Sequence, residues 1–158
     1  KTIIGVMGPG GATDKEKSMA TELGKQIASN GWTLLTGGRN AGVMHAASQG
    51  AHEAGGLTIG ILPSSDRKGM SKFVDIPIFT GMGSARNNIN ILSSDVVVAC
   101  GTGAGTASEV MLALKSRKPL ILLAPSQKLV ELISELDYPQ PDVTQTVDHV
   151  VQFIRNNV

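Results

Sequence analysis

The stretch Val96–Met111, VVVACGTGAGTASEVM, decides the fold of this chain. Its first four residues form a continuous apolar run, which is typical of a strand buried on both faces of a parallel sheet. Cys100 ends the run, and the turn from Gly101 to Gly105 carries almost no side-chain bulk. Thr106-Ala107-Ser108-Glu109 then fits the capping box that opens a helix. This order favours an anion site, because free backbone N–H groups and the helix dipole attract negative charge.

Strands and helices alternate along the rest of the chain. Five further apolar runs predict strands, at residues 2–7, 32–35, 57–62, 74–80 and 119–123. Apolar stripes and capping residues predict helices between and after them, at residues 14–29, 43–54, 85–92, 127–136 and from 146 or 148 onward. Such alternation predicts a parallel sheet with helices on both faces. We expect an α/β fold in which residues 1–158 form a single Rossmann-like, doubly wound domain.

Composition and charge exclude several classes of function. The 158 residues carry a formal net charge of only +1, so overall charge gives no information about nucleic acid or membranes. Aromatic residues make up only 3%, which disfavours an RNA-binding surface built on base stacking. The single cysteine, Cys100, allows no internal disulfide and no cysteine-rich zinc site. No apolar run approaches the roughly 18 residues of a membrane helix, and no leader pattern is visible. We expect a soluble, cytoplasmic protein that contacts neither nucleic acid nor membrane.

Glycine-rich turns follow four of the predicted strands, namely Gly8-Pro9-Gly10-Gly11, Gly37-Gly38, Gly81-Met82-Gly83 and Gly101 to Gly105. Ligands of doubly wound sheets bind beyond the carboxyl ends of the strands, where the strand order reverses. Four open turns at one sheet edge therefore favour a ligand that carries phosphate or another anionic group. The alternative is that these glycines only permit tight connections between strands and helices.

The common nucleotide and metal motifs are missing from the sequence. There is no G-x-x-x-x-G-K-[ST] sequence, the first turn is GPGG instead of G-x-G-x-x-G, and the second strand ends without a carboxylate. We therefore expect no NAD and no P-loop chemistry. His45 and His52 could share a helix face, but with His149 they form no grouping with acids, so packed or solvated imidazoles are favoured over a bound metal ion.

Arg86 is the most informative charged residue outside the opening stretch. Ser84 is a suitable N-cap, which would place Arg86 in the first turn of the next helix. A cation there opposes the helix dipole, and its presence is explained if it faces a bound anion or a carboxylate. A solvated surface arginine is the alternative. Arg39 and Asn40 occupy the equivalent position after the second strand and have the same two interpretations.

Two residues of the opening stretch have competing interpretations. Glu109 is the last residue of the predicted capping box, and closing that box is a sufficient structural reason for it. If Glu109 also faces the ligand, its carboxylate suits hydrogen bonds to N–H and O–H groups or the stabilisation of a cationic transition state. Cys100 is interpreted as a small buried residue rather than a nucleophile.

These residues resemble a known family. Gly101–Glu109, GTGAGTASE, resembles the PGGxGTxxE signature of the LONELY GUY and lysine decarboxylase-like family of Rossmann proteins. Thr36–Met44, TGGRNAGVM, resembles the upstream GGGxxGLM motif of that family, and Ser84–Asn87 falls where the family carries its arginine. The resemblance implies hydrolysis of the N-glycosidic bond of cytokinin riboside or adenosine monophosphates, with Arg86 and Glu109 as the catalytic pair.

The chain also departs from those enzymes. Gly101 and Thr102 stand where the enzymes carry Pro and Gly, and Arg39 replaces the third glycine of the upstream motif. With the segment SARNNIN, these departures resemble a sister branch, the molybdenum cofactor carrier proteins. That resemblance implies molybdenum cofactor, an anionic pterin, as a ligand that is held without turnover. It also implies a homo-oligomer, with a tetramer favoured over a dimer, and molybdoenzymes as possible recipients.

The sequence thus yields two principal hypotheses for function, a cofactor carrier and a nucleoside monophosphate hydrolase, with a nucleotide sensor as a third. The residues assigned to the ligand-binding site are Gly8, Gly10, Gly11, Gly37, Gly38, Arg39, Asn40, Ser84, Arg86, Asn87, Gly101, Thr102, Gly103, Ala104, Gly105, Thr106 and Glu109.

Overall fold

The computed structural model describes residues 1–158 as one seven-stranded sheet with helices on both faces. The strands are β1 (Ile3–Met7), β2 (Thr33–Thr36), β3 (Thr58–Leu62), β4 (Ile76–Phe79), β5 (Val96–Cys100), β6 (Leu120–Leu123) and β7 (Asp142–Thr144). The helices are α1 (Asp14–Ser29), α2 (Gly42–Glu53), α3 (Asn87–Leu92), α4 (Ala104–Lys115), α5 (Gln127–Ser134) and α6 (Val147–Asn157). A 3₁₀ turn, Gly83–Arg86, precedes α3.

The strand order places a topological switch at the centre of the sheet. All neighbouring strands are parallel, and their order is β4-β3-β2-β1-β5-β6-β7. β1 pairs with β2 on one side and with β5 on the other, so the chain winds outward in opposite directions from this pair. The predicted doubly wound α/β fold is confirmed. Open sheets of this kind have a crevice at the carboxyl ends of the strands flanking the switch.

Strand β5 is buried on both faces, as its unbroken apolar sequence predicts. Val96 and Val98 face a core formed with α1, α2 and α6, whereas Val97 and Ala99 face a second core formed with α3, α4 and α5. Successive side chains of a strand point to opposite faces, so each core receives every second residue of β5. This central position fixes the direction in which β5 delivers the glycine turn that follows it.

The predicted capping box at Thr106 is wrong. Helix α4 begins at Ala104 with Gly103 as its N-cap, and the N–H of Ala107 already donates to the Gly103 carbonyl at 2.8 Å. Thr106 therefore lies inside the first turn of α4, where its hydroxyl cannot cap the N-terminus. No side chain caps α4 at all.

The predicted N-cap at Ser84 is also wrong. Ser84 lies within the 3₁₀ turn, which continues into α3 without a capping side chain. Arg86 is the last residue of that turn and the residue before α3, so it does not lie in the first turn of the helix. The continuous run of helical backbone from Gly83 onward removes the need for a cap.

One smaller difference lies at the edge of the sheet. Strand β7 escapes prediction because it is three residues long and two of them are exposed, so no apolar pattern marks it. Thr146, one of the two predicted caps of α6, does accept from the His149 N–H. Thr13 and Glu16 form a capping box at the start of α1. No helix has the length and apolar character needed to cross a bilayer.

Helices α1 and α2 pack with their backbones in contact, which makes two glycines necessary. A Cβ at Gly24 would lie 2.1 Å from the Ala47 carbonyl oxygen, and one at Gly50 would lie 1.9 Å from that of Thr21. We expect Gly24→Ala to destabilise the protein by about 1–3 kcal/mol through overpacking, although alanine is the better helix former. Urea unfolding followed by circular dichroism measures this loss.

The matched control is Gly105→Ala in α4, because nothing lies within 4 Å of a Cβ placed there. That variant should gain up to about 1 kcal/mol from helix propensity. Equal unfolding free energies for Gly24→Ala and Gly105→Ala would show that the close approach of α1 and α2 is not a packing constraint.

Candidate functional site

A polar cavity of about 530 Å³ lies at the carboxyl ends of β1, β2 and β5, at the topological switch. Only three of its 17 lining residues are hydrophobic, which is unusual for a small-molecule site and favours a charged, strongly hydrated ligand. The lining residues are Met7, Gly8, Pro9, Gly10, Gly11, Gly37, Arg39, Met44, Ser84, Arg86, Asn87, Thr102, Gly103, Ala104, Gly105, Thr106 and Glu109.

The structure brings most of the predicted site residues together in this cavity. Three of them, Gly38, Asn40 and Gly101, do not line it. A Cβ at Gly38 would lie 3.0 Å from the Leu62 side chain, and one at Gly101 would lie 2.6 Å from Glu16 Oε1, so both glycines serve packing. Both also have positive φ angles, 74° and 77°, which glycine adopts without strain.

Sequence reasoning missed three lining residues, Met7, Pro9 and Met44. Met7 and Met44 lie inside a predicted strand and a predicted helix, where an apolar side chain has the sequence pattern of a core residue. Pro9 stands between glycines of the first turn, and the only available signal was its place within that turn. The turn Gly81-Met82-Gly83 does not reach the cavity, which receives only the following Ser84.

The glycines of the lining fall into two structural groups. A Cβ at Gly37 would lie 2.7 Å from Arg86 Nη2 and 2.8 Å from Met44 Sδ, so this glycine lets the arginine approach the β2 turn. In contrast, nothing lies within 4 Å of a Cβ at Gly11 or at Gly105. The space beside these two residues is left open, and it allows a ligand to reach the backbone directly.

The N-terminus of α4 is the part of the cavity best suited to an anion. No side chain caps it, and no acidic residue lies in its first turn. The hydroxyl of Thr106, in the cavity wall, is buried and has no hydrogen-bond partner within the protein. A buried hydroxyl without a partner costs about 1–3 kcal/mol, which a ligand oxygen would relieve. Helix N-termini with free N–H groups bind phosphate readily.

Helix α1 also starts at this edge of the sheet, but its N-terminus is closed. The Thr13 hydroxyl accepts from the Glu16 N–H at 3.2 Å, and the Glu16 carboxylate accepts from the Thr13 N–H at 2.8 Å. This box occupies the N–H groups and places a negative charge at the helix end. An anion in the cavity is therefore directed to α4 and away from α1.

Arg86 is buried, with 8% of its surface exposed, and its side chain is fixed by its neighbours. Nε donates to the Ile61 carbonyl at 2.9 Å, Nη2 donates to the Gly37 carbonyl at 3.4 Å, and Nη1 donates to Asn87 Oδ1. Carbonyl and amide oxygens carry no full charge, so the guanidinium is held in place without being neutralised. Arg86 is not the solvated surface arginine that the sequence left as an alternative.

The charge of Arg86 is compensated only at a distance. Burial lowers the pKa of Arg86, the carboxyl of Glu109 acts in the opposite direction, and Arg39 lowers it further. Arg86 and Glu109 do not form an ion pair, since no nitrogen of Arg86 lies within 4.0 Å of a Glu109 oxygen. The cavity therefore holds two arginines and one carboxylate, and an anionic ligand would balance the excess positive charge.

Glu109 extends from α4 into the buried part of the cavity, with 7% of its surface exposed. Asn90 Nδ2 donates to its Oε2 at 3.0 Å, and no protein group donates to Oε1. Burial raises the pKa of the Glu109 carboxyl to about 7, against the opposing effects of the Asn90 hydrogen bond and the Arg86 charge. Glu109 thus closes no capping box, and it faces the cavity with one free oxygen.

The remaining candidate groups lie outside the cavity. Cys100 is buried, and burial, with a smaller effect of Glu16, raises the pKa of its thiol to about 12, so it is a packing residue. His45 and His52 both pack against Phe73, with ring centroids 5.2 and 5.5 Å away. No three His, Cys, Asp or Glu side chains lie close enough together to hold a metal ion.

The fold and the cavity define a Rossmann-like protein whose switch-point crevice is suited to a phosphate-bearing ligand. The chain belongs to the SLOG cluster4 family, whose profile matches residues 1–152. The predicted membership of a LONELY GUY-like Rossmann family is thereby confirmed.

Two solved structures are similar to this chain over almost its whole length. A molybdenum cofactor binding protein from the phototrophic bacterium Rippkaea orientalis is 55% identical, with a TM-score of 0.96, and the match covers 99% of this chain and 96% of that one. The molybdenum cofactor carrier protein of Chlamydomonas reinhardtii is 52% identical, with a TM-score of 0.91, and the match covers 99% and 98%.

A more distant relative is an enzyme. The cytokinin riboside 5'-monophosphate phosphoribohydrolase of Mycobacterium tuberculosis is 30% identical over 115 residues. The match covers 68% of this chain and 62% of the enzyme, so more than a third of the enzyme has no counterpart in the match.

The Glu109 carboxyl should make stability depend on pH. Its folded-state pKa, about 7, lies above the ordinary value of 4.5, so its contribution is present below pH 4.5 and is lost as pH rises through 7. Relative to Glu109→Gln, the native chain should lose up to about 3 kcal/mol of unfolding free energy across that range. Urea unfolding of both proteins at pH 4.5, 6 and 8 measures the difference, and a constant difference would contradict the buried titration.

Proposed function

We propose that this protein binds molybdenum cofactor, a pterin phosphate that carries molybdate, in the cavity and holds it without chemical turnover. The observation that carries the proposal is the combination of a 52–55% identity to molybdenum cofactor binding and carrier proteins with a cavity suited to an anion. The residues present fit such a ligand. The Thr106 hydroxyl has no partner within the protein, and the backbone at Gly11 and Gly105 is open, so both could contact an oxyanion.

Each part of the cavity has a role in this proposal. The backbone N–H groups at the start of α4 and the Thr106 hydroxyl bind the phosphate. Arg39 and Arg86 offset the negative charge of the phosphate and of the molybdate group. The free Oε1 of Glu109 accepts from an N–H or O–H group of the organic part of the ligand.

Holding without turnover is consistent with how the charged groups are fixed. The Arg86 guanidinium donates to three oxygens of the protein, and these hydrogen bonds hold it in one position. It would therefore attract the ligand by its charge without moving. Thr102, where the hydrolases carry a glycine, has its hydroxyl engaged by the Ser126 N–H at 2.8 Å, so the turn before α4 is tied to the start of α5. A rigid, preorganised cavity favours retention of a bound ligand.

Removing Arg39 should weaken cofactor retention. Arg39 is exposed at the mouth of the cavity, so Arg39→Ala leaves the core intact while deleting a charged contact worth about tenfold in affinity. Protein loaded anaerobically with released molybdenum cofactor is desalted, and the retained molybdenum and pterin are measured. The control is Arg117→Ala, which removes the same charge after the C-terminus of α4, at the opposite edge of the sheet.

Equal retention by Arg39→Ala and Arg117→Ala would contradict the proposed contribution of the cavity charge. A wild-type protein that loses the cofactor on desalting would contradict the carrier role itself.

Filling the open space beside α4 should separate stability from binding. Gly105→Ala adds a methyl group that meets no protein atom, at a residue that lines the cavity beside the proposed phosphate position. We expect unchanged or higher thermal stability together with a reduction of about tenfold or more in cofactor retention. Retention at the wild-type level would place the phosphate elsewhere in the cavity.

The second candidate function is hydrolysis of a nucleoside 5'-monophosphate. The observation that favours it is that Arg86 and Glu109, the pair the family resemblance assigns to catalysis, line the same cavity, together with the 30% identity to a phosphoribohydrolase. Incubation with AMP and with an N6-substituted AMP, followed by chromatography of the free base, tests it. We expect no base release, whereas release that disappears in Glu109→Ala would establish the enzyme.

Three further expectations stay predictions. They are a cytoplasmic location, delivery of the cofactor to molybdoenzymes, and assembly into a homo-oligomer, with a tetramer favoured over a dimer. Helix α3 bears on the last of these, because Ile91 is turned into the core while Leu92 is 55% exposed. Size-exclusion chromatography with light scattering measures the assembly state.

A further inference from the structure

The turn that carries Arg39 is held by a neighbouring segment, Gly69–Phe73. The Asn40 N–H donates to the Gly69 carbonyl at 2.7 Å, and the Ser71 N–H donates to the Gly38 carbonyl at 2.9 Å. These two main-chain hydrogen bonds lie on either side of Arg39, which forms an isolated antiparallel bridge with Met70. The backbone of Arg39 is therefore fixed in direction, although its side chain is exposed at the cavity mouth.

Ser71 in turn is fixed through its side chain. It is completely buried, and its Oγ lies 2.9 Å from Nδ1 of His45 while accepting from the Phe73 N–H at 3.3 Å. The Ser71 hydroxyl has one donor and two acceptor positions, so it can form this hydrogen bond with either tautomer of His45 while it accepts from Phe73. Burial, with the nearby charge of Lys72, lowers the pKa of His45 and favours its neutral form.

His45 connects this arrangement to the helix that follows Arg39. It lies in the first turns of α2, which begins at Gly42, three residues beyond Arg39. Its ring also packs against Phe73, with centroids 5.2 Å apart. The turn that carries Arg39 is thus held by the segment Gly69–Phe73 and leads directly into α2. The His45–Ser71 hydrogen bond joins α2 to that segment.

We infer that Ser71 and His45 are positioning residues, which hold the backbone of Arg39 so that its guanidinium faces the anion in the cavity. Neither residue lines the cavity, and both act through Arg39. An exposed arginine loses rotamer freedom when it binds, and a fixed backbone reduces the additional ordering that binding requires. The inference rests on the proposed function, because it assigns to Arg39 a contact with the anionic ligand.

The test measures the affinity of the purified protein for inorganic phosphate by isothermal titration calorimetry at constant pH and ionic strength. Ser71→Ala deletes the hydroxyl and His45→Leu deletes the imidazole of this hydrogen bond. Ser71→Thr keeps the hydroxyl, and His45→Asn places an amide group, which can donate or accept, near the position of Nδ1. We expect the two deletions to weaken phosphate binding by about the same factor as Arg39→Ala, on the order of tenfold, and the two conservative variants to restore most of it.

A double-mutant cycle separates positioning from a general loss of stability. Since Ser71 acts through Arg39, Ser71→Ala combined with Arg39→Ala should bind phosphate no more weakly than Arg39→Ala alone. The control is Ser94→Ala, which removes a buried hydroxyl bonded to the Asn90 carbonyl before β5, outside the cavity lining. Ser94→Ala should lower the unfolding temperature without changing phosphate affinity.

Wild-type affinity in Ser71→Ala, or losses that add fully in the double variant, would overturn the positioning role. If Arg39→Ala itself binds phosphate as the wild type does, then the anion contact assigned to Arg39 under the proposed function fails, and this inference fails with it.

Discussion

Helix α4 begins with backbone N–H groups that no side chain of the protein caps. The suitability of the cavity for an anion depends on these free N–H groups. An uncapped helix end is costly when it faces a partly closed, polar cleft, unless an oxygen from outside the chain completes it. The buried hydroxyl of Thr106 lacks a partner at the same place. Helix α1, by contrast, closes its own N-terminus with Thr13 and Glu16. Of these two helices, only α4 therefore presents an uncapped N-terminus to the cavity.

The charges around this end are arranged so that they do not cancel. Arg86 is held by neutral oxygens, Arg39 approaches from the mouth, and Glu109 accepts from Asn90. A direct Arg86–Glu109 ion pair would satisfy both groups and remove the attraction for a ligand. Their separation leaves a positive potential in a buried setting, where electrostatic interactions are weakly screened. Burial raises the pKa of the Glu109 carboxyl to about 7, because it outweighs the opposing effects of the Asn90 hydrogen bond and the distant Arg86 charge.

The sequence was sufficient for the fold and for most of the cavity lining, since both follow from local patterns. The apolar run of β5 and the glycine turns mark the sheet and its carboxyl edge. The predicted start of α4 was wrong because Thr-x-x-Glu fits a capping box whether or not the helix begins three residues earlier. Met7 and Met44 were missed since a lining methionine and a core methionine have the same sequence pattern. The partners of Arg39, which lie some 30 residues farther along the chain, become visible only through tertiary contacts.

The most direct test of this account is a crystal structure of the protein with molybdenum cofactor bound under anaerobic conditions, in which the phosphate is located. The account predicts that the phosphate oxygens accept from the backbone N–H groups of Gly105 and Thr106, that the Thr106 hydroxyl donates to one of them, and that Arg39 faces the ligand. A phosphate bound at the first turn of α1, or a cofactor bound outside the cavity with the Thr106 hydroxyl still without a partner, would contradict it.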